Sequence, residues 1–294
     1  PAGAAAARGA GVTRTSATAR ATVTKIANGK GERAEDVLVV EEPMEIRLDI
    51  PGKDGVVTKS LAVTMRTPGN DFELAAGFLF TEGIIASGED IEQLSYCVDG
   101  KAEQEFNVVT VALRQGLAVD LDRLTRHFYA TSSCGVCGKA SLDAVRVQVR
   151  EAPAPGRPTL SPAVVASLPD RLREAQGVFA RTGGLHGAGL FTADGSLVSV
   201  MEDVGRHNAV DKVVGEQLLR GAIPPRDHVL QVSGRGGFEI VQKAVVAGIP
   251  VVSAVGAPSS LAVEVAREFR MTLLGFVREG RFNVYADADR ILTA

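Results

Sequence analysis

Cys134 and Cys137 are two of the three cysteines in this chain, set in the run Ser133-Cys134-Gly135-Val136-Cys137-Gly138 with Lys139 directly after it. A structural buried cysteine behaves as a small hydrophobe among other hydrophobes. Glycines, a serine and a lysine instead describe an accessible thiol beside a cation, and the cation favours the thiolate, which is the nucleophile. A single Cys-x-x-Cys pair in such a loop fits redox or sulfur-transfer chemistry. A disulfide between the two, or half of a structural zinc site, are the alternatives. Closed zinc sites take four ligands, and with Cys97 the only other thiol, histidines would have to complete the set. No zinc is therefore expected.

A second group of residues is suited to holding an anion. Three loops follow predicted strands: Ser233-Gly234-Arg235-Gly236-Gly237, Gly256-Ala257-Pro258-Ser259-Ser260, and Phe276-Val277-Arg278-Glu279-Gly280-Arg281. The first two open predicted helices, whose free backbone N–H groups and dipole favour negative charge. Arg235, Arg278 and Arg281 add fork-shaped donors that match phosphate. A phosphorylated ligand is the expectation. The dense polar run Glu202-Asp203-Val204-Gly205-Arg206-His207-Asn208 stands between a predicted strand and a predicted helix. Capping accounts for Asn208, but it does not require His207. His186, at the start of an apolar strand, is a second candidate for handling protons near neutral pH. His127 and His228 read as structural.

The elements that must position these groups follow from periodicity. Val37–Val40, Met44–Ile50 and Ser60–Met65 read as strands, the second alternating apolar and polar residues with period two. Asn70 reads as the N-cap of a helix running to Phe80, and Val108–Leu113 as another strand. Prolines 153, 155, 158 and 162 then punctuate a connection. Leu185–Phe191 and Leu197–Met201 flank Asp194-Gly195, a hairpin signal. After a helix over Asn208–Arg220, strands His228–Val232, Ile249–Val255 and Thr272–Val277 alternate with helices Phe238–Ala247 and Ser260–Phe269, and strand Phe282–Tyr285 closes the chain. Such alternation implies right-handed crossovers and a mostly parallel sheet covered by helices. Ligands of such sheets bind at the carboxyl ends of the strands. All three loops fall there. The expected organisation is a disordered tail over 1–22, a small N-terminal α+β unit over 23–130, and an α/β domain over 131–294 that begins with the Cys-x-x-Cys loop.

Composition limits the alternatives. With 294 residues, 45% of them hydrophobic and 23% charged, the chain can bury a sizeable core. No apolar run approaches the roughly 18 residues that span a bilayer, and the start of the chain lacks the charged-then-apolar order of a secretory signal. A cytoplasmic, reducing setting is expected for thiols used this way. Residues 1–31 carry five basic residues and no acid, which leaves 27 basic against 35 acidic residues beyond them, a net charge of −8. An acidic body with no tryptophan argues against a nucleic-acid groove.

Taken together, Ser133–Gly138, Thr182-Gly183-Gly184-Leu185-His186, the block from Glu202 to Lys212, Ser233-Gly234-Arg235 and Phe276–Arg281 resemble the FdhD family of formate dehydrogenase accessory sulfurtransferases. The resemblance spans Val37 to the C-terminus. It implies a protein that takes persulfide sulfur from a cysteine desulfurase and delivers it to the molybdenum (or tungsten) bis-molybdopterin guanine dinucleotide cofactor (Mo-bis-MGD for the molybdenum form) of formate dehydrogenase. That cofactor is then a bound substrate, GDP is a fragment mimic of it, and zinc is not required. It also implies a cytidine-deaminase-like α/β/α three-layer fold for the C-terminal domain, and a homodimer. By position, Cys134 matches the persulfide-carrying cysteine, and Phe276, Val277, Arg278, Glu279, Gly280 and Arg281 match the cofactor-contacting segment. Gly234, Arg235, His186 and His207 are the further candidate cofactor contacts, and Cys137 the candidate partner thiol.

Two other classes fit less well, and a third is the serious alternative. Zinc nucleoside deaminases use His-x-Glu or Cys-x-Glu followed by Pro-Cys-x-x-Cys. Here Cys97-Val98-Asp99 has aspartate in place of glutamate, and Ser133 stands at the proline position. A thioredoxin-like oxidoreductase places its cysteines within a βαβ unit, whereas this pair precedes that run by many residues. A non-catalytic cofactor chaperone needs the anion loops but not the thiols, and replacing Cys134 separates it from a transferase.

Overall fold

The computed structural model describes residues 16–52, 55–97, 106–117, 145–146, 148–149 and 152–292. Cys134 and Cys137, the expected sulfur-handling pair, lie outside the described residues. Strands β1 (Thr18–Ala27) and β2 (Lys30–Val39) form an antiparallel hairpin around Asn28-Gly29. Both turn residues are left-handed, with φ of 52° and 77°, as a type I′ turn requires. The tail expected over 1–22 thus gives way to strand at Thr18. Asn-Gly between runs carrying β-branched residues was the available signal.

Strands β3 (Glu42–Gly52), β4 (Gly55–Arg66), β5 (Ile91–Tyr96) and β6 (Val108–Leu113) make a four-stranded sheet in the order β4-β3-β6-β5. β3 buries Met44, Ile46 and Leu48 and leaves Glu45 and Arg47 part-exposed, which is the period-two pattern in its sequence. Helix α1 (Asp71–Thr81) connects β4 to β5. Asn70 occupies the expected cap position, yet its backbone is left-handed (φ 55°) and its side chain makes no cap bond.

The prolines of 153–162 lead directly into helix α2 (Pro162–Ala175) rather than through a bare connection. Ser161 Oγ accepts from Val164 N at 3.2 Å, and Pro162 takes the first helical position, where its missing N–H costs nothing. After the single turn α3 (Phe179–Thr182), the chain runs through β7 (His186–Thr192), β8 (Leu197–Asp203), α4 (Arg206–Leu219), β9 (His228–Val232), α5 (Phe238–Val246), β10 (Val251–Ala254), α6 (Ser260–Glu268), β11 (Thr272–Arg278) and β12 (Arg281–Ala286). The sheet order is β12-β11-β10-β9-β7-β8.

This sheet is mixed, not mostly parallel. Only β9·β10 and β10·β11 pair in parallel, because antiparallel hairpins close both ends: β7/β8 on one side, with β7 also antiparallel to β9, and β11/β12 on the other. Helices α4, α5 and α6 cover one face and α2 covers the other, which gives three layers.

The four-stranded sheet docks through α1, which lies across α4. Two glycines permit the approach. A Cβ at Gly77 would fall 1.9 Å from the Asp211 carbonyl oxygen, and one at Gly215 would fall 1.8 Å from that of Glu73. Beside the crossing, Lys243 Nζ of α5 meets Asp211 Oδ2 of α4 at 3.0 Å, Thr81 Oγ1 of α1 at 3.0 Å, and Glu82 Oε1 at 3.2 Å. One apolar core runs without a break from Met44 and Leu48 through Leu79 and Val213 to Val252 and Leu273. No helix among the described residues is long and apolar enough to cross a membrane.

Candidate functional site

The site is built where the strands of the mixed sheet end. β7 is antiparallel to β9 with Ala188 opposite Val232, so β7 opens at the edge where β9 closes. His186, the first residue of β7, pairs with Asp203, the last of β8. The next three strand ends are hydrogen-bonded loop to loop: Gly256 N donates to Gly234 O at 2.9 Å, and Phe276 N donates to Gly256 O at 3.2 Å. The fold therefore brings His186, Gly234, Arg235, Phe276 and the start of α4 to one carboxyl edge, the place where open α/β sheets bind ligands.

At one end of this edge, Arg278 and Arg281 face each other across the two-residue turn Glu279-Gly280. Both turn residues are left-handed, with φ of 52° and 75°. Phe276 is also left-handed (φ 54°), unusual for an aromatic residue, and is 38% exposed. Val277 is the exception among the expected contacts. It is 0% exposed and packs on the α2 face of the sheet with Leu168, Leu274 and Ile291, so it anchors the turn. Arg235 and Arg278 make no hydrogen bond or ion pair with any described residue, whereas Arg281 Nη2 lies 3.0 Å from Glu279 Oε2. An exposed pair of this kind contributes little, and the carboxylate competes with any incoming anion.

The helix starts differ from one another. Ser259 Oγ caps α6 by accepting from Ala262 N at 3.2 Å, so that first turn is partly satisfied. Gly205 and Gly237 precede α4 and α5 and offer no side-chain cap, which leaves backbone donors facing the edge.

The polar block separates into two working parts. Asp203, Asn208 and Lys212 are scaffold. Asp203 is fully buried and receives four donors: Gly205 N at 2.8 Å and Asn208 Nδ2 at 3.0 Å on Oδ1, with Thr67 N at 3.2 Å and Lys212 Nζ at 2.7 Å on Oδ2. Lys212 also donates to Thr67 O at 3.0 Å. This carboxylate thus fixes the start of α4 and pins the end of β4 to it. Arg206, His186 and His207 form the other part. His207 Nε2 sits 2.7 Å from Glu239 Oε2 on α5, and that hydrogen bond outweighs burial to hold the Glu239 carboxyl below its ordinary range. Burial, reinforced by the charge of Arg206 and by His207, pushes the His186 imidazole below its usual value, which favours the neutral ring. A Cβ on Gly234 would stand 3.6 Å from His186 Nδ1, which places the ring over that loop.

Arg206 and Glu239 are the members that sequence patterning did not single out. Arg206 Nε is buried without a hydrogen-bond partner among the described residues; its place in the dense polar run beside His207 was the signal available.

The profile of the FdhD/NarQ family matches residues 39–292 of this chain. The chain belongs to the FdhD/NarQ family. Among FdhD/NarQ relatives, the sulfur carrier protein FdhD of Streptomyces coelicolor is 53% identical over 279 residues, which cover 93% of this chain and 95% of that protein. The protein of the same name from the archaeon Sulfolobus acidocaldarius is 44% identical over 269 residues, 92% of this chain and 96% of its own. A crystal structure from Desulfotalea psychrophila, described as that of a formate dehydrogenase accessory protein, superposes with a TM-score of 0.69 at 26% identity and covers 94% of this chain and 99% of its own. The FdhD/NarQ match takes in both the Cys-x-x-Cys segment and every residue of the carboxyl edge.

Proposed function

We propose that this chain is a sulfur carrier that accepts sulfur on Cys134 from a cysteine desulfurase and passes it to Mo-bis-MGD held along the carboxyl edge, for delivery to formate dehydrogenase. The observation that carries the edge assignment is the convergence there of Arg235, Arg278 and two helix starts without a side-chain cap, cationic and backbone donors with no side-chain acceptor among the described residues. A cofactor with several phosphates suits that donor set. The thiol assignment rests on the Cys-x-x-Cys sequence and on the names carried by the relatives.

In the loading step, Cys134 thiolate attacks the outer sulfur of the donor persulfide. The donor S–S bond breaks, its cysteine leaves as thiolate, and a new S–S bond forms on Cys134, so no external oxidant is consumed. For unloading, attack of Cys137 on the inner sulfur expels hydrosulfide toward the bound metal centre and leaves a Cys134–Cys137 disulfide. A cellular dithiol then has to reduce that bond before the next turn. Lys139, close by in sequence, is the cation that favours the thiolate at the start. The working unit in this reading is a homodimer in the cytoplasm.

The edge is tested with GDP as a fragment of the cofactor. Each charge-assisted contact to phosphate contributes about 1.5–3 kcal/mol, so Arg235→Ala and Arg278→Ala are each expected to weaken calorimetric GDP binding by about ten- to a hundredfold. Arg281→Ala has a smaller effect, because Glu279 already occupies that guanidinium. All three side chains are exposed, so circular dichroism should remain that of the parent. Unchanged affinity in all three variants moves the cofactor off this edge.

A further inference from the structure

We infer that the α2 face of the six-stranded sheet contains a buried water site between Gln231 of β9 and Ser253 of β10, in which water acts as a structural ligand of both side chains. The site is independent of the sulfur-carrier and cofactor readings.

Strand register puts the two residues side by side. β9 and β10 are parallel, with Gln231 opposite Ser253 and Val229 opposite Val251. Side chains two apart on a strand share a face. Val229 and Val251 belong to the apolar layer that also holds Leu168 and Leu172 of α2, so Gln231 and Ser253 are directed into that layer. Gly189 of β7 and Leu274 of β11 complete the same row. Both polar side chains are 0% exposed. Gln231 Nε2 donates to Val232 O at 3.0 Å, yet neither Gln231 Oε1 nor Ser253 Oγ has a hydrogen-bond partner among the described residues. Neighbouring strands are about 4.8 Å apart, and still the acceptor and the hydroxyl do not bond to each other.

Gln176, directly after α2, adds a third such group. It is buried, and its Nε2 also lacks a partner among the described residues. Its Cδ lies 2.5 Å from where a Cβ on Gly187 would stand, and Gly187 shares a face with Gly189, so this amide reaches the same layer from the β7 side. An amide oxygen, a hydroxyl and an amide N–H together offer both kinds of hydrogen bond and no charge. Water fits that set, since a buried water typically makes about three bonds to polar groups that are otherwise unpaired. The site sits one residue below Val232 and Ala254, where β9 and β10 end.

The test is a crystal structure of the whole protein at a resolution that shows ordered solvent, joined to thermal unfolding of three variants. The parent should show water about 2.5–3.0 Å from both Gln231 Oε1 and Ser253 Oγ. Ser253→Ala should lower the melting temperature by about 2 °C or more, because the water loses a partner. A hydroxyl merely unpaired in an apolar layer gives the opposite sign, since its removal sacrifices no hydrogen bond. Gln231→Met should also lower the melting temperature; the carbonyl of Val232 keeps a donor in Val255 N at 3.3 Å. The double variant should lose less than the sum of the two single losses, because both changes release the same water. No water at these atoms in the parent, a melting temperature raised by Ser253→Ala, or strictly additive losses would each overturn the inference.

Discussion

Asp203→Ala is expected to cost about 3–5 kcal/mol of folding stability, read as a lower urea midpoint by circular dichroism. The side chain is fully buried, and its removal strands Lys212, 1% exposed, as a charge whose remaining acceptors among the described residues are the carbonyls of Thr67 and Glu202 at 3.0 and 3.4 Å. It also orphans the backbone N–H groups of Thr67 and Gly205, each worth a further desolvation penalty. Adding Lys212→Met should restore part of the loss, since an apolar replacement of a buried ion pair is often tolerated. Recovery should stop short of the parent, because the two backbone donors stay unpaired in the double variant. A loss below about 1 kcal/mol, the scale of a surface pair, would mean that this carboxylate does not organise the start of α4.

Gly77→Ala and Gly215→Ala should each destabilise by about 3 kcal/mol, the upper end for overpacking a core. The added methyl group meets backbone, not a movable side chain, at 1.9 and 1.8 Å respectively. Helix propensity alone predicts the opposite, since alanine exceeds glycine by about 1 kcal/mol in a helix interior. The sign of the measured change therefore decides between crossing geometry and propensity. Gly177→Ala is the control: nothing lies within 4 Å of its Cβ position, and its stability should stay within about 0.5 kcal/mol of the parent. Stabilisation in either crossing variant would place α1 and α4 further apart than described here.

How much of this was legible before folding depended on whether the signal was local. The strand-helix alternation from His228 to Val277 appears within a few residues of its predicted bounds, because each strand is a short apolar run and each helix an amphipathic one. Sheet direction was not legible from alternation alone. Asp194-Gly195 marked the hairpin that makes β7 and β8 antiparallel, but nothing local in β7 encodes its pairing with β9. Two hairpins and a helix carried readable punctuation that composition obscured: Asn28-Gly29 inside an alanine- and threonine-rich segment, Glu279-Gly280 inside a candidate binding loop, and Ser161-Pro162 at the end of a proline run.

In the site, the arginines were readable because loops after strands share an edge. The division of labour inside Glu202–Lys212 was not, since Asp203 and Lys212 are nine residues apart and meet only when α4 folds back on β8. Val277 was assigned to the ligand by its neighbours in sequence, yet strand alternation turns it into the core.

The most direct test of the central claim is mass spectrometry of the peptide containing Cys134 after the whole protein is incubated with a cysteine desulfurase and free cysteine. The account predicts an added sulfur atom on that peptide, removed by reducing agent and absent from Cys134→Ala. An adduct of equal yield in Cys134→Ala, or none on the parent while the desulfurase turns over, would contradict it.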